Sequence, residues 1–106
     1  MARTELAEKL ELVGEMLEIE GMNELFEKFQ KGITTVQYNA IVIQIGARLM
    51  KEKPITADKL ISMNTGNTLE EIDKLEDGEY GKALRNAITA EVIGFFASSG
   101  TSGNKK

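Results

Sequence analysis

The sequence predicts an all-α fold, a compact bundle of about five helices around a central apolar helix, spanning residues 1–97 and followed by a disordered tail at 98–106. Three observations predict it. Every periodic apolar segment repeats at helical spacing and none alternates as a half-buried strand would. Glycine, proline and Asn/Thr clusters punctuate the chain between these segments. Two Thr-x-x-Gln/Glu patterns stand where helices should open, each able to pair the cap with the third helical residue.

The first helix is expected over Thr4 to Glu18, with Leu6, Leu10, Val13 and Leu17 inward and Glu8, Glu11, Glu15 and Glu18 on the opposite side. Gly21 stops it, and Asn23 caps a short helix from Glu24 to Lys31 with Leu25, Phe26 and Phe29 turned in. The central helix, ITTVQYNAIVIQIGARLMKEK, occupies Ile33 to Lys53. Thr34 and Gln37 form its capping box, flanked by Ile33 and Tyr38 at the spacing of a hydrophobic staple. Its polar residues Gln37, Gln44, Arg48 and Lys51 make one narrow stripe. Val36, Ile41, Val42, Ile43, Ile45, Leu49 and Met50 should therefore be covered by neighbours. Gly46, costly inside a helix by ~1 kcal/mol relative to Ala, marks a close approach by another helix. Asn39 falls on the apolar side and is expected to bond a loop carbonyl.

Pro54 ends the central helix, and Thr56 caps a helix through Met63. Thr68 and Glu71 open a helix from Leu69 to Glu76 with Leu69, Ile72 and Leu75 inward. The last helix runs from Glu79 to Ala97 on an apolar face of Tyr80, Leu84, Ala87, Ile88, Val92, Phe95 and Phe96. Glu91 interrupts that face and must find a partner, for which Arg48 is the candidate. Ile93 falls on the polar side, and with Phe95 and Phe96 it makes a candidate contact patch. The tail, SSGTSGNKK, has no apolar residue to anchor it.

Composition narrows the function classes. At 106 residues the chain is one domain able to bury roughly two-thirds of its unfolded surface. It contains no Cys and no His, so disulfides, thiolate chemistry and the usual general base are excluded, and no cofactor or metal is expected. The acidic start is unlike a secretory signal, and no apolar run approaches the ~20 residues of a membrane span, which points to a cytoplasmic protein without a membrane partner. The net charge of −4 resides in residues 1–31, where eight Glu face four bases; the remainder is neutral. Glu8, Glu11, Glu15 and Glu18 are a solvated face, or a docking face for a basic partner.

Residues 60–79 resemble a helix-turn-helix in outline, but Glu70, Glu71, Asp73, Glu76, Asp77 and Glu79 would face phosphate, so nucleic-acid binding is not expected. Asp73 to Leu84 has the glycine of a calcium loop but Leu75 and Leu84 at ligand places. Gly78 and Gly81 match a GxxG spacing with acidic neighbours that would repel a nucleic-acid backbone. The glutamates are not placed in pairs about a cleft, and Ser98 and Ser99 have no base. An enzyme is not expected.

The central ITTVQYNAIVIQIGARLM, the closing EYGKALRNAITAEVIGFF and the short Ser/Gly/Lys tail together resemble the small tail-assembly chaperones of long-tailed bacteriophages of Gram-positive hosts. The resemblance covers residues 30–106 in general character; the acidic first helix lies outside it. It implies an all-α, non-enzymatic protein of the infected cell's cytoplasm, absent from the mature virion, that coats the tape-measure protein and recruits tail-tube subunits. Two other classes stay open: a small acidic regulator or inhibitor binding a basic protein through Glu8, Glu11, Glu15 and Glu18, and a DNA-binding module, which the charge disfavours. Self-association is open as well. The resemblance also implies a longer product made by frameshifting, and Asn104-Lys105-Lys106 can be encoded by a nearly unbroken adenine run. An alternative frame of the coding DNA should therefore continue past codon 106; stops in both alternative frames directly after it exclude the slip.

Overall fold

Caps and turns divide the chain close to where the sequence places them. The computed structural model describes residues 3–29 and 31–95. Among these residues the regular structure is helical, with no strand. The helices are α1 (Arg3–Leu17), α2 (Met22–Glu27), α3 (Thr35–Glu52), α4 (Pro54–Thr65), α5 (Leu69–Asp73) and α6 (Asp77–Ala87). The last continues as a π segment over Ile88–Ile93. Phe96 and the predicted tail at 98–106 lie outside the described residues.

Both capping boxes form. The Thr34 hydroxyl accepts from the Gln37 amide at 3.1 Å, and the Gln37 side chain accepts from the Thr34 amide at 2.9 Å. Thr68 and Glu71 repeat the arrangement at 3.1 and 2.8 Å. Elsewhere the starts shift. Pro54 opens α4 itself, in the first turn where its missing N–H is not needed. Thr56, expected as the cap, lies buried within α4 and donates its hydroxyl to Glu15 Oε1 at 2.6 Å. The last helix begins at Asp77 rather than Glu79, with the Glu76 amide donating to Glu79 Oε1 at 3.3 Å. Gly21 turns the chain between α1 and α2 at φ +84°, and a Cβ there would stand 2.8 Å from Arg48 Nη1. The left-handed backbone is what requires glycine here, whereas the Arg48 guanidinium, at the end of a flexible side chain, could shift away from a Cβ.

The core lies between α3 and α4. Helix α4 packs on α1, α3, α5, α6 and the π segment, with Ala57, Leu60 and Ile61 fully shielded. Helix α3 packs on α2, α4, α6 and the π segment through Ile41, Val42, Ile45 and Leu49. Gly46 brings α6 close, as its sequence position predicts: a Cβ there would touch Leu84 Cδ2 at 3.5 Å and Ile88 Cδ1 at 3.6 Å. At the other end Phe29 stacks obliquely on Tyr38, ring centroids 5.2 Å apart.

Three expectations about helix faces are corrected. Helix α3 is not covered on all sides but its polar stripe: Val36 is 78% exposed, Ile43 59% and Met50 45%. Among the described residues α2, α4, α6 and the π segment pack on it, and they leave these three side chains in water. Asn39 is exposed and needs no loop carbonyl. Helix α1 is rotated part of the way from the predicted face: Val13 is buried and Leu17 packs against the core as expected, but Leu6 and Leu10 do not. It buries Lys9, Leu12, Val13 and Met16, while Leu6 and Leu10 face outward at 36% and 50% exposure. Leu69 of α5, expected inward, is likewise exposed.

The two isoleucines of α3 give a direct check. Ile45, with no exposed surface, should cost ~2–5 kcal/mol on truncation to Ala, as buried aliphatic residues do. Ile43→Ala should fall within ~0.5 kcal/mol of wild type in denaturant unfolding, because its side chain already faces water.

Candidate functional site

The sequence-predicted site residues separate into an acidic group and a carboxy-terminal group, and the structure joins them through Lys9. Its ammonium pairs with Glu91 at 3.0 Å and stands 5.5 Å above the centre of the Phe95 ring. Glu91 also accepts from Asn64 Nδ2 at 3.0 Å. Glu91 therefore finds the partner its position demands, but the partner is Lys9 and not Arg48. The Arg48 guanidinium is taken by the Glu20 carbonyl at 2.8 Å. The π segment carries Glu91 to the side of the helix that meets α1 and α4, while Ile88 and Val92 stay in the core. Burial raises the Glu91 pKa, but the hydrogen bonds from Asn64 and Lys9 and the Lys9 charge outweigh it and hold the carboxyl below its ordinary value.

Along this network runs a groove of about 550 Å³ between α1 and the α4–α5 corner. Glu5, Glu8, Glu11 and Glu15 line one wall; Leu12, Met63 and Leu69 supply apolar surface; Lys59 and Ser62 stand opposite. Three of the four predicted acidic residues thus share one concavity. Glu18 stands apart, paired with Lys53 at 2.8 Å, an exposed contact whose hydrogen bond and charge lower the Glu18 pKa. Ile93 and Phe95 are half-buried, and Ile93 packs against the core rather than standing free. Phe96 falls outside the described residues. Between α6 and α4, Tyr80 donates to Asp58 at 2.6 Å, and burial together with that carboxylate pushes its phenol pKa strongly upward.

A second groove, about 490 Å³, lies between α3 and α6. Its α3 wall is Ile43, Ala47 and Met50; its α6 wall is Gly78, Gly81, Lys82 and Arg85, with Asp77 at one end. The wall belongs to a longer ridge: Val36, Ala40, Ile43, Ala47 and Met50 are all exposed and recur at alternating steps of four and three. That is the seam a helix presents to another helix. The heptad spacing is legible in the amino-acid sequence. What hides it is that the core residues of α3 interleave with it, so the two apolar faces read as one.

Both grooves combine exposed apolar side chains with charged ones. Among the described residues no group of three or more acidic side chains is placed to hold a metal ion, and no helix is long and apolar enough to cross a membrane. The chain matches no protein-family model, no curated protein and no solved structure.

The Glu91 network sets a pH test. A carboxyl whose folded pKa lies below the unfolded one contributes stability above the ordinary value, here 4.5, and that contribution is lost as pH falls through the folded pKa. Glu91→Gln should be less stable than wild type at neutral pH, because Lys9 is left buried without its counter-charge. The gap should narrow on acidification from about pH 5 toward pH 3. Glu18 keeps its own slope in both proteins, so the difference between the two unfolding curves isolates Glu91.

Proposed function

We propose that this chain is a non-enzymatic tail-assembly chaperone of a long-tailed bacteriophage, acting in the host cytoplasm and leaving before the virion is complete. Its client is the tape-measure protein, with tail-tube subunits recruited alongside. The observation that carries the binding role is the ridge Val36, Ala40, Ile43, Ala47 and Met50 above the α3–α6 groove. A contiguous apolar helix face left in water marks an interaction surface. Its heptad spacing suits a helical client lying in the groove, with anchors at i, i+3, i+4 and i+7. The resemblance of the central and closing segments to the phage chaperones supplies the client's identity.

A second reading rests on the other groove. Glu5, Glu8, Glu11 and Glu15 over Leu12, Met63 and Leu69 suit a basic amphipathic segment, the partner of an acidic regulator.

Capture of the tape-measure protein, encoded directly downstream if this reading holds, separates the two. Ile43→Asp and Met50→Asp change exposed residues and leave the fold intact, and each should weaken capture by about tenfold or more, as loss of a central anchor does. Reversing Glu8 and Glu11 to Lys should leave capture unchanged. The opposite pattern selects the acidic groove and the regulator. The α3 variants are cleaner tests than Ile93→Asp, which would place a charge against the core.

A further inference from the structure

The groove between α3 and α6 has one apolar wall and one nearly bare wall. Ile43 and Met50 stand exposed on the α3 side, with Ala47 between them in sequence. On the α6 side Gly78 and Gly81 present backbone, at the i, i+3 spacing that puts both on one helix face. Gly81 lies inside that helix, where glycine costs stability relative to alanine. A Cβ at Gly81 would meet nothing within 4 Å, and its φ is not positive. Neither the packing nor the backbone of this chain calls for glycine there, in contrast to Gly46, where a Cβ would touch α6. The space that Gly81 leaves is space in the groove itself, open to a side chain from outside.

Charge gives an independent indication. Lys82 and Arg85 line the same wall, again at i, i+3, and both are exposed. Among the described residues neither forms an ion pair. Asp77 is the one acid lining this groove, and it stands at the start of α6, more than a turn before Lys82. The part of the groove beside Lys82 and Arg85 is therefore positive, with no acid of its own to answer it.

We propose that this groove selects, among amphipathic helices, one with an acidic edge, and that Gly81 admits the helix's central apolar anchor. The proposal rests on the reading of this groove as the client site and names the client's chemistry. Apolar side chains at heptad spacing meet Ile43, Ala47 and Met50, and the anchor enters over Gly78 and Gly81. Carboxylates along the flank of the incoming helix meet Lys82 and Arg85. Apolar contact gives most of the affinity. The two bases give the selection, because they attract an acidic edge and repel a basic one.

The test uses two synthetic helices of about three heptads, with Leu at a and d and Ala elsewhere. One carries Glu along one edge; the other carries Lys at the same places. Each is titrated into the labelled full chain, and binding at this groove is read from the amide shifts of Ile43, Ala47, Gly78 and Gly81, which separates it from binding in the acidic groove. The Glu helix should bind here about tenfold or more tighter than the Lys helix, and added salt should narrow the difference. Lys82→Glu with Arg85→Glu, both at exposed positions, should reverse the preference. Gly81→Leu should raise the unfolding midpoint, since leucine is the better helix former, and weaken the Glu helix by about tenfold or more, since its side chain fills the anchor's place. Equal binding of the two helices at this groove overturns the proposal. So does a folded Gly81→Leu variant that holds the Glu helix as tightly as wild type. The client reading is tested apart from this by capture of the tape-measure protein. If Ile43→Asp and Met50→Asp capture it as wild type does, that reading fails even where the helices are sorted by charge. If capture is lost and the two helices still bind alike, the charge selection alone fails.

Discussion

The ion pair between Lys9 and Glu91 sets the orientation of everything at the amino-terminal side. With the Lys9 side chain 9% exposed and Glu91 18%, the pair is largely out of water, and Asn64 satisfies a further carboxylate lone pair. Such a pair adds little stability by comparison with apolar side chains of the same size, but breaking it is costly. Its effect here is one of rotation. To bring Lys9 under the carboxyl-terminal segment, α1 must turn so that Leu12 and Met16 enter the core and Leu6 and Leu10 leave it. The same turn carries Glu8, Glu11 and Glu15 over α4, where the Thr56 hydroxyl meets Glu15. The acidic groove and the outer leucine stripe are two results of one buried contact.

What the sequence made legible is local chemistry. Thr34 with Gln37, Thr68 with Glu71, Pro54 and Gly21 each act within a few residues, and each sits at or next to a helix boundary in the structure. That Glu91 must be partnered was legible too, from its place on an apolar face. Which base answers it was not, because Lys9 is eighty-two positions away in sequence and no periodicity links them. The same limit applies to faces. Four leucines and valines at helical spacing predicted the inner side of α1, yet a single buried lysine shifted it. On α3 the pattern contains enough apolar residues for two faces, and only the number of neighbouring helices decides that one of them stays bare.

The acidic groove and the α3 ridge divide the surface by charge in a way that the net value conceals. Residues 1–31 hold all of the excess negative charge, and the neutral remainder places Lys82 and Arg85 together at the groove beside α3. A protein that is acidic on average thus places two bases, Lys82 and Arg85, against one acid, Asp77, along this groove. At physiological ionic strength, fields beyond ~8 Å are screened, so the charges lining the groove set its local potential more than the overall charge does.

Met50 gives the ridge a chemical vulnerability. It stands at the end of the exposed seam with 45% of its surface in water, whereas Met16 and Met22 are sealed in the core. Oxidants reach exposed thioethers first, and the sulfoxide they make is polar where the thioether is not. A sample aged in air would keep its helices and its mass to within an oxygen atom, and yet carry a polar oxygen at one end of the exposed apolar ridge. For this protein, a preserved fold and an unaltered apolar ridge are separate criteria of sample quality.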